Sequence, residues 1–425
     1  CSSSSSSSTV LFSSEEGREM EPKGSYRAKN FLATGVAFLG QRKHHKLYAT
    51  RSNHSLEQYQ LDIAPDHPYF NESFYFHCTD EKTGDLIVTR ISRRSNKASR
   101  CYVFFLIFSH REKTPLSLEK DVLLQRTNSE LQPTCSGASF KCVEPMKVWR
   151  ITFQGKMIKG YPNAQNSSDS IDVEVDLLFR AGTPRFFYFL DDDLTCIGRN
   201  LAQEPWTLQF WKSCIRRQSH AHYEQYGRVS GHVRIGNEKL AHRYASMGCF
   251  RDHSWDIRSW GAIDKLFIVL CSFPSNSKLY LGQQRIDYLN IVMCTLPSND
   301  AGLQRFHSGW MASDSFILPI RCTTSIDDLK ISQDEQGRRI PPQTTTCYVQ
   351  TAGQPSYLIK IHARFRQPGC VPRVCYYPDD GKFEVFEDSM LFDVQVERRK
   401  DNSASVTGFG GRQFGFSLRS KKKNQ

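Results

Sequence analysis

At 425 residues, 39% hydrophobic and 12% aromatic, the chain holds enough apolar material for two packed domains, which excludes a wholly disordered polypeptide. The formal charge of +12 comes from 56 basic and 44 acidic residues that are interspersed. This pattern points away from a nucleic-acid binder and leaves room only for transient membrane contact through a basic surface. No apolar run approaches the ~20 residues needed to cross a bilayer.

In chain order, residues 1–66 read as a disordered or poorly ordered lead-in. It opens with Cys1 and a serine run instead of Met, as a fragment or a mis-started gene product would, so targeting is illegible there. Gln41-Arg42-Lys43-His44-His45-Lys46 is a small basic island. Order is expected from His67-Pro68. A first β domain follows over 67–198. Phe74–Cys78, the turn-like Lys82-Thr83-Gly84-Asp85 and Leu86–Ile91 form a strand, a turn and a strand. Further strands are expected at 100–109, 138–143, 147–153 and 171–180. Apolar and acidic residues alternate strictly from Ile171 to Leu177, which predicts one dry and one wet face. Phe186–Phe189 read as core, and Asp191-Asp192-Asp193 as a solvated turn.

Residues 199–221 break the β pattern. Leu201, Trp206, Phe210, Trp211 and Cys214 suit one side of a short helix, with Pro205 at its first turn, so a helical linker is expected. Alternation resumes at His222 and continues through a second β domain over 222–419. Gly408–Gly411 reads there as a strand-joining turn. Residues 420–425 form a basic tail. Fourteen cysteines include no Cys-x-x-Cys, so no structural metal is expected. Several sit in apolar strands (Cys101, Cys271, Cys294), which suggests reduced thiols and a cytoplasmic protein.

The densest chemistry is Arg251-Asp252-His253-Ser254-Trp255-Asp256-Ile257-Arg258-Ser259-Trp260. Charges are seldom buried unless paired, so this segment builds a polar girder, a polar anchor inside a ligand cavity, or a proton-transfer site. Neighbours in a strand face opposite ways, so Arg251, His253 and Trp255 share one face and Asp252, Ser254 and Asp256 the other. In the girder reading the arginines fork onto nearby carboxylates, for example Arg258 onto Glu224. His222 and Glu224 share a face and come into question as neighbours of His253.

Glu72–Phe76, Lys147–Phe153, Glu204-Pro205-Trp206, His222–Gly231 and Arg251–Trp255 fall in an order that resembles a known region. It is the lipocalin-like region of animal phosphoenolpyruvate synthase-like and rifampicin-phosphotransferase-like proteins. That region is similar to a wider superfamily with bacterial carotenoid hydratases, AttH-type proteins and the yeast ceramide-shuttling survival factor. The resemblance covers roughly residues 67–419. It implies a mainly β protein of two tandem lipocalin-like barrels with an apolar cavity. It further implies His253 as a proton-transfer group, Trp255 as a face for a developing cation, and Asp252 as the group that orients the imidazole. The pattern departs from the family at Asp256, where glycine is usual, and at Ser259, where aspartate is usual. No acid is visible on a facing strand, where only Tyr280 is offered. No phosphohistidine segment or phosphate-cradling loop is present, so phosphotransfer by this chain alone is not expected.

The expected function is non-enzymatic binding or transport of an apolar small molecule, a lipid or isoprenoid, with no cofactor. Two alternatives stand beside it. One is proton-transfer catalysis on such a ligand, of hydratase or isomerase type. The other is an accessory role beside a phosphoenolpyruvate synthase-like phosphotransferase. The site residues are His253 and Asp252 as catalytic candidates, with Arg251, Trp255, Arg258, Trp260, His222, Glu224 and Tyr280 around them.

Overall fold

The computed structural model describes residues 11–12, 19–20, 24–48, 50–60, 70–94, 101–108, 115–118, 122–124, 132–160, 170–208, 210–211, 221–237, 242–257, 265–273, 279–281, 283–295 and 305–322. Beyond these it describes the strand segments 332–333, 339–340, 344–351, 357–363, 373–376, 383–398 and 405–419. The protein is mainly β, built on two large antiparallel sheets.

The first sheet is formed by β1 (Phe70–Thr79), β2 (Leu86–Arg94), β3 (Cys101–Phe108), β4 (Leu116–Ser117), β5 (Ala138–Glu144), β6 (Val148–Lys159), β7 (Ser170–Ala181), the short β8 (Phe186–Phe187), β9 (Ala221–Ile235) and β10 (His242–Ile257). Its path runs β7-β9-β10-β1-β2-β3-β4-β6, and β6 pairs again with β7, so the path returns on itself. The alternation in β7 is realised: Val173, Val175, Leu177 and Phe179 are buried while Asp172, Glu174 and Asp176 face outward. On the outward side Arg150 forks onto Asp176 at 2.8 and 2.6 Å. The inner face is filled by large rings, among them Phe74, Phe76, Phe105, Phe140, Trp149, Phe153 and Phe179. A bulge at Val229/Gly231 bends β9, and Gly231 has φ +148 where any side chain would meet the Asp176 carbonyl.

The second sheet is formed by β11 (Lys265–Ser272), β12 (Tyr288–Thr295), β13 (Arg305–Ala312), β14 (Ile317–Cys322), β15 (Thr344–Thr351), β16 (Tyr357–Ala363), β17 (Phe383–Arg398) and β18 (Ser405–Arg419). Its path β16-β15-β14-β13-β12-β11-β18-β17 returns through a β16–β17 pairing. Gly408–Gly411 therefore lies inside a continuous strand, paired with β11 and β17, and is not a turn. The two sheets meet over an apolar layer that includes Tyr75, Val88, Phe186, Tyr226, Phe250, Leu270, Tyr288 and Trp310.

Three boundaries differ from the sequence reading. Residues 1–66 are not merely a loose lead-in, because α1 (Gly24–Tyr48) and α2 (Asn53–Glu57) form within them and bury Ala33, Ala37, Tyr48, Leu56 and Glu57. The expected start of the second domain at 222 falls within the first sheet, since β9 and β10 hydrogen-bond to β7 and β1. The helix expected over 199–221 occupies Leu194–Gln203 (α3), capped by the Asp193 carboxylate on the Cys196 N–H at 2.9 Å. Residues 212–220 lie outside the described residues. α3 packs against α1 through Ile197, Leu201 and Ala202, and Gly198 permits the approach because a Cβ there would strike Thr34.

Asp191-Asp192-Asp193 is likewise no solvated turn. Asp192 is buried and accepts from the Phe189 N–H at 2.8 Å and from the Ser308 hydroxyl. Asp193 forks onto Arg321 of β14 at 2.7 and 2.9 Å. Both fasten the α3 corner to the second sheet. His77 behaves in the opposite way, a buried imidazole lowered from the usual 6.5 to about 4 by loss of water. The unfolded chain takes up this proton below pH 6.5, while the folded chain resists until about 4. Stability is therefore full above 6.5 and lost as the pH falls through this window, by roughly 3 kcal/mol. His77→Gln should flatten that loss in denaturation curves taken across the same range; an unchanged acid limb would sink the assignment.

Candidate functional site

The register of β9 on β10 divides the chemistry between two faces. Tyr223 stands opposite His253, Gln225 opposite Arg251 and Ala221 opposite Trp255; all turn to the inner side. His222 stands opposite Ser254 and Glu224 opposite Asp252, and these turn outward to the second sheet. His222 and Glu224 therefore do not join His253, and Asp252 does not orient its imidazole.

On the inner face the partners come from the N-terminal helices. Ser52 caps α2 by accepting from the Ser55 N–H at 3.1 Å. This short helix delivers the Leu56 carbonyl and the Glu57 carboxylate into the first sheet. Glu57 takes Arg251 in a fork at 2.7 and 3.1 Å, the Tyr223 hydroxyl at 2.7 Å, the Met146 N–H at 2.7 Å and the Trp149 indole at 3.3 Å. Burial pushes its carboxyl up, but the Arg251 charge and these donors outweigh it and hold Glu57 below the usual range. The rest of the Arg251 fork falls on the Gln225 oxygen at 3.0 and 2.7 Å, and the Gln225 amide donates to the Met146 and Thr183 carbonyls at 3.0 and 3.2 Å.

His253 is held beside this pair. A carbonyl can only accept, so Nδ1 carries a hydrogen toward the Leu56 oxygen at 2.9 Å. Nε2 lies 3.0 Å from Glu72, whose other oxygen accepts from Arg93 at 2.7 Å. The Gln60 N–H closes the Glu72 shell at 2.8 Å. Phe74 stacks on the imidazole at 3.9 Å and Trp255 lies at 4.8 Å. The side chains of Glu57, Glu72 and His253 are all fully buried. Both nitrogens are engaged and the ring is covered, so a reacting molecule finds no place beside it. The geometry is a polar lock that fastens α2 and the chain behind it to the first sheet. A chain shortened to begin at His67 should accordingly be markedly less stable than the full chain, which a comparison of thermal midpoints would decide.

The outer face is arranged differently. Glu224 is buried, and one oxygen accepts from Asn290 Nδ2 at 2.6 Å and from the Trp310 indole at 2.9 Å, residues of β12 and β13. The other oxygen lies 3.4 Å from His222 Nε2, which is 3.7 Å from Asp252. Tyr188 stacks on His222 at 4.6 Å. The His222 and Asp252 side chains keep 21% and 17% of their surface exposed, while Glu224 keeps 2%, so the cluster opens at its rim. Burial, helped by the neighbouring charges of Asp252 and Asp192 and only partly offset by Trp310, pushes the Glu224 carboxyl well above its usual range. Asp192 beside it is raised to about 6 by burial. Asn71 and Ser92 extend this outer face, and the Asn71 amide and Ser92 hydroxyl are buried without a protein partner among the described residues.

Tyr280 is half exposed on a separate two-residue pairing with Arg285, away from both clusters. Arg258 and Trp260 lie outside the described residues, and with them the expected Arg258–Glu224 pair. The acids that sequence reasoning missed are Glu57 and Glu72. The signal for Glu57 was a Ser52 cap before a helix too short to show periodicity. Among the described residues no group of three or more His, Cys, Asp or Glu side chains is placed to hold a metal ion, and no helix is long and apolar enough to cross a membrane.

An AttH-like protein from Nitrosomonas europaea shares the architecture, with a TM-score of 0.51 at 9% identity over 84% of this chain and 96% of that chain. Kievitone hydratase from Nectria haematococca gives a TM-score of 0.45 at 12% identity over 81% and 88% of the two chains. CghA with Sch210972 gives 0.47 at 10% over 83% and 89%. At such identities the AttH-like likeness is one of fold, lipocalin-like and β-rich. No curated protein matches the sequence. The family described as Domain of unknown function (DUF7064) matches residues 55–294, more than half of the chain and the whole span from Glu57 through Asn290, and the chain belongs to that family.

Proposed function

We propose that the protein is a proton-transfer enzyme, of hydratase or isomerase type, acting on an apolar substrate at the outer face of β9 and β10. The observation that carries this reading is the Glu224 carboxyl. Two N–H donors occupy one oxygen, so the other carries the acid proton, and burial with neighbouring charge favours the protonated form. Glu224 gives its proton to an alkene carbon or carbonyl oxygen, and its carboxylate is then steadied by Asn290 and Trp310. Water adding to the resulting cation, or the adjacent C–H that breaks in an isomerisation, releases a proton to His222, whose imidazolium charge is balanced by Asp252 at 3.7 Å. His222 returns that proton to Glu224 across the 3.4 Å gap. The buried rings of Phe186 and Tyr188, with the partly buried Phe306 beside them, make the surroundings suit an apolar, unsaturated substrate. In this reading the two returning strand paths are lipocalin-like barrels, and the site lies where they meet.

A second reading, carriage of an apolar ligand, is favoured by one observation. The inner face of the second sheet carries Phe267, Val269, Leu289, Ile291 and Met293. Native mass spectrometry of the purified chain should then reveal a co-purifying lipid. The first sheet does not favour carriage, because its interior is filled by rings and by the lock. A cytoplasmic location fits the buried thiols, and an accessory role beside a phosphotransferase rests on the sequence resemblance alone.

The enzyme reading is tested by incubating the protein in deuterated water with a panel of apolar alkenes and unsaturated ketones. Mass spectrometry should show deuterium or water entering a product, and Glu224→Gln should abolish it. A native chain that exchanges nothing, and whose infrared spectrum at neutral pH lacks a protonated carboxyl band assignable to Glu224, would falsify the proposal.

A further inference from the structure

One side of α1 packs on the body of the protein and buries Asn30, Ala33, Ala37, His44 and Tyr48. The other side exposes Phe31 at 80%, Leu32 at 57%, Val36 at 43%, Phe38 at 46% and Leu39 at 66%. Gly35 lies among them with open space where a side chain would stand. Single exposed apolar residues are ordinary on a protein surface, but a run of large ones along one helix marks a docking surface. No described residue covers it.

The charges along the helix say what it meets. α1 has no acidic residue and carries Arg27, Lys29, Arg42, Lys43 and Lys46. Arg42, Lys43 and Lys46 are exposed directly beyond the apolar stretch, Arg27 is exposed before it, and the Arg42 guanidinium lies 5.5 Å from the Phe38 ring. An apolar strip with cations at both ends and no carboxylate matches an anionic bilayer surface, where rings enter the boundary of the acyl chains and basic groups meet phosphates. A second copy of this chain, at a formal +12, would repel at the same face.

We propose that α1 is a peripheral membrane-docking helix, lying on an anionic lipid surface with Phe31, Leu32, Val36 and Leu39 inserted and Arg27, Arg42, Lys43 and Lys46 on the headgroups. The placement has a consequence for access. Gln41 donates to the Asp192 carbonyl at 2.9 Å, and His44 stacks on Phe189 at 6.3 Å. The docked helix thus holds the cluster around Glu224 close to the bilayer, where apolar molecules reside. Docking stands apart from the chemistry at Glu224, because it is read without turnover.

The test is sedimentation of the full chain with vesicles of phosphatidylcholine alone and of equimolar phosphatidylcholine and phosphatidylserine. The anionic vesicles should bind about tenfold more protein, and added salt should reverse the gain. Phe31→Ser/Leu39→Ser and Arg42→Glu/Lys43→Glu should each weaken that binding by about tenfold or more. These positions are exposed, so both variants should keep the native thermal midpoint. Equal binding of the native chain to both vesicles, or binding to neither, overturns the proposal. So does a concentration-dependent dimer in sedimentation velocity that the serine variant abolishes while vesicles remain unbound.

Discussion

Glu57→Gln is expected to destabilise the protein by about 3–5 kcal/mol, the usual result of leaving a buried charge without its partner. Arg251 is 1% exposed, and among the described residues it has no other carboxylate in its shell, so water cannot replace the lost charge. The glutamine amide would also point a donor at a guanidinium that only donates. Arg251→Met should be similarly harmful, because Glu57 would keep its burial and lose the charge that holds its carboxyl down. The double variant should be less destabilised than the sum of the two, since neither charge remains to be desolvated. Denaturant midpoints of the four proteins close this cycle. Single changes below about 1 kcal/mol would mean that the lock is not a stability element. The pH dependence has a definite sign. Glu57 is depressed in the folded chain, so its contribution is complete above the unfolded value near 4.5 and disappears as the pH falls through the folded value.

Glu224→Gln is expected to act in the opposite way, with a loss of rate of about 10²–10⁴ and no loss of stability. The amide oxygen can still accept from Asn290 and Trp310, so the packing between the sheets survives. What disappears is the transferable proton. The native carboxyl is raised by burial and by the charges of Asp252 and Asp192, so its stabilising form is the protonated one. That contribution is full below the unfolded value near 4.5 and is lost as the pH rises through the folded value. The glutamine variant should therefore be at least as stable as the native chain at alkaline pH. Rate profiles and melting curves measured together distinguish this from a structural role. A glutamine variant that turns over normally would remove Glu224 from the chemistry.

How legible these sites are depends on distance along the chain. Strand alternation is local, so the buried residues of β7 can be read from Ile171–Leu177 alone. The same period of two puts Arg251, His253 and Trp255 on one face and Asp252 on the other, from residue spacing. The partners cannot be read that way. Arg251 meets Glu57 across 194 residues, His253 meets Glu72 across 181, and Glu224 meets Trp310 across 86. A five-residue helix such as α2 has too few turns to write a stripe, so its segment resembles a loose lead-in.

By itself, then, the sequence determined a β-rich chain, the facing parity of segments such as Ile171–Leu177 and Arg251–Asp256, and the unusual charge density of residues 251–260. Side-chain alternation needs nothing beyond neighbouring residues, which is why that much was readable. Only the tertiary structure decided that the inner face is closed by carboxylates from the N-terminal helix α2 and from β1, and that the outer face holds a buried acid at the meeting of two sheets. Pairing and desolvation belong to groups brought together through space, and no local pattern records which distant carboxylate will arrive.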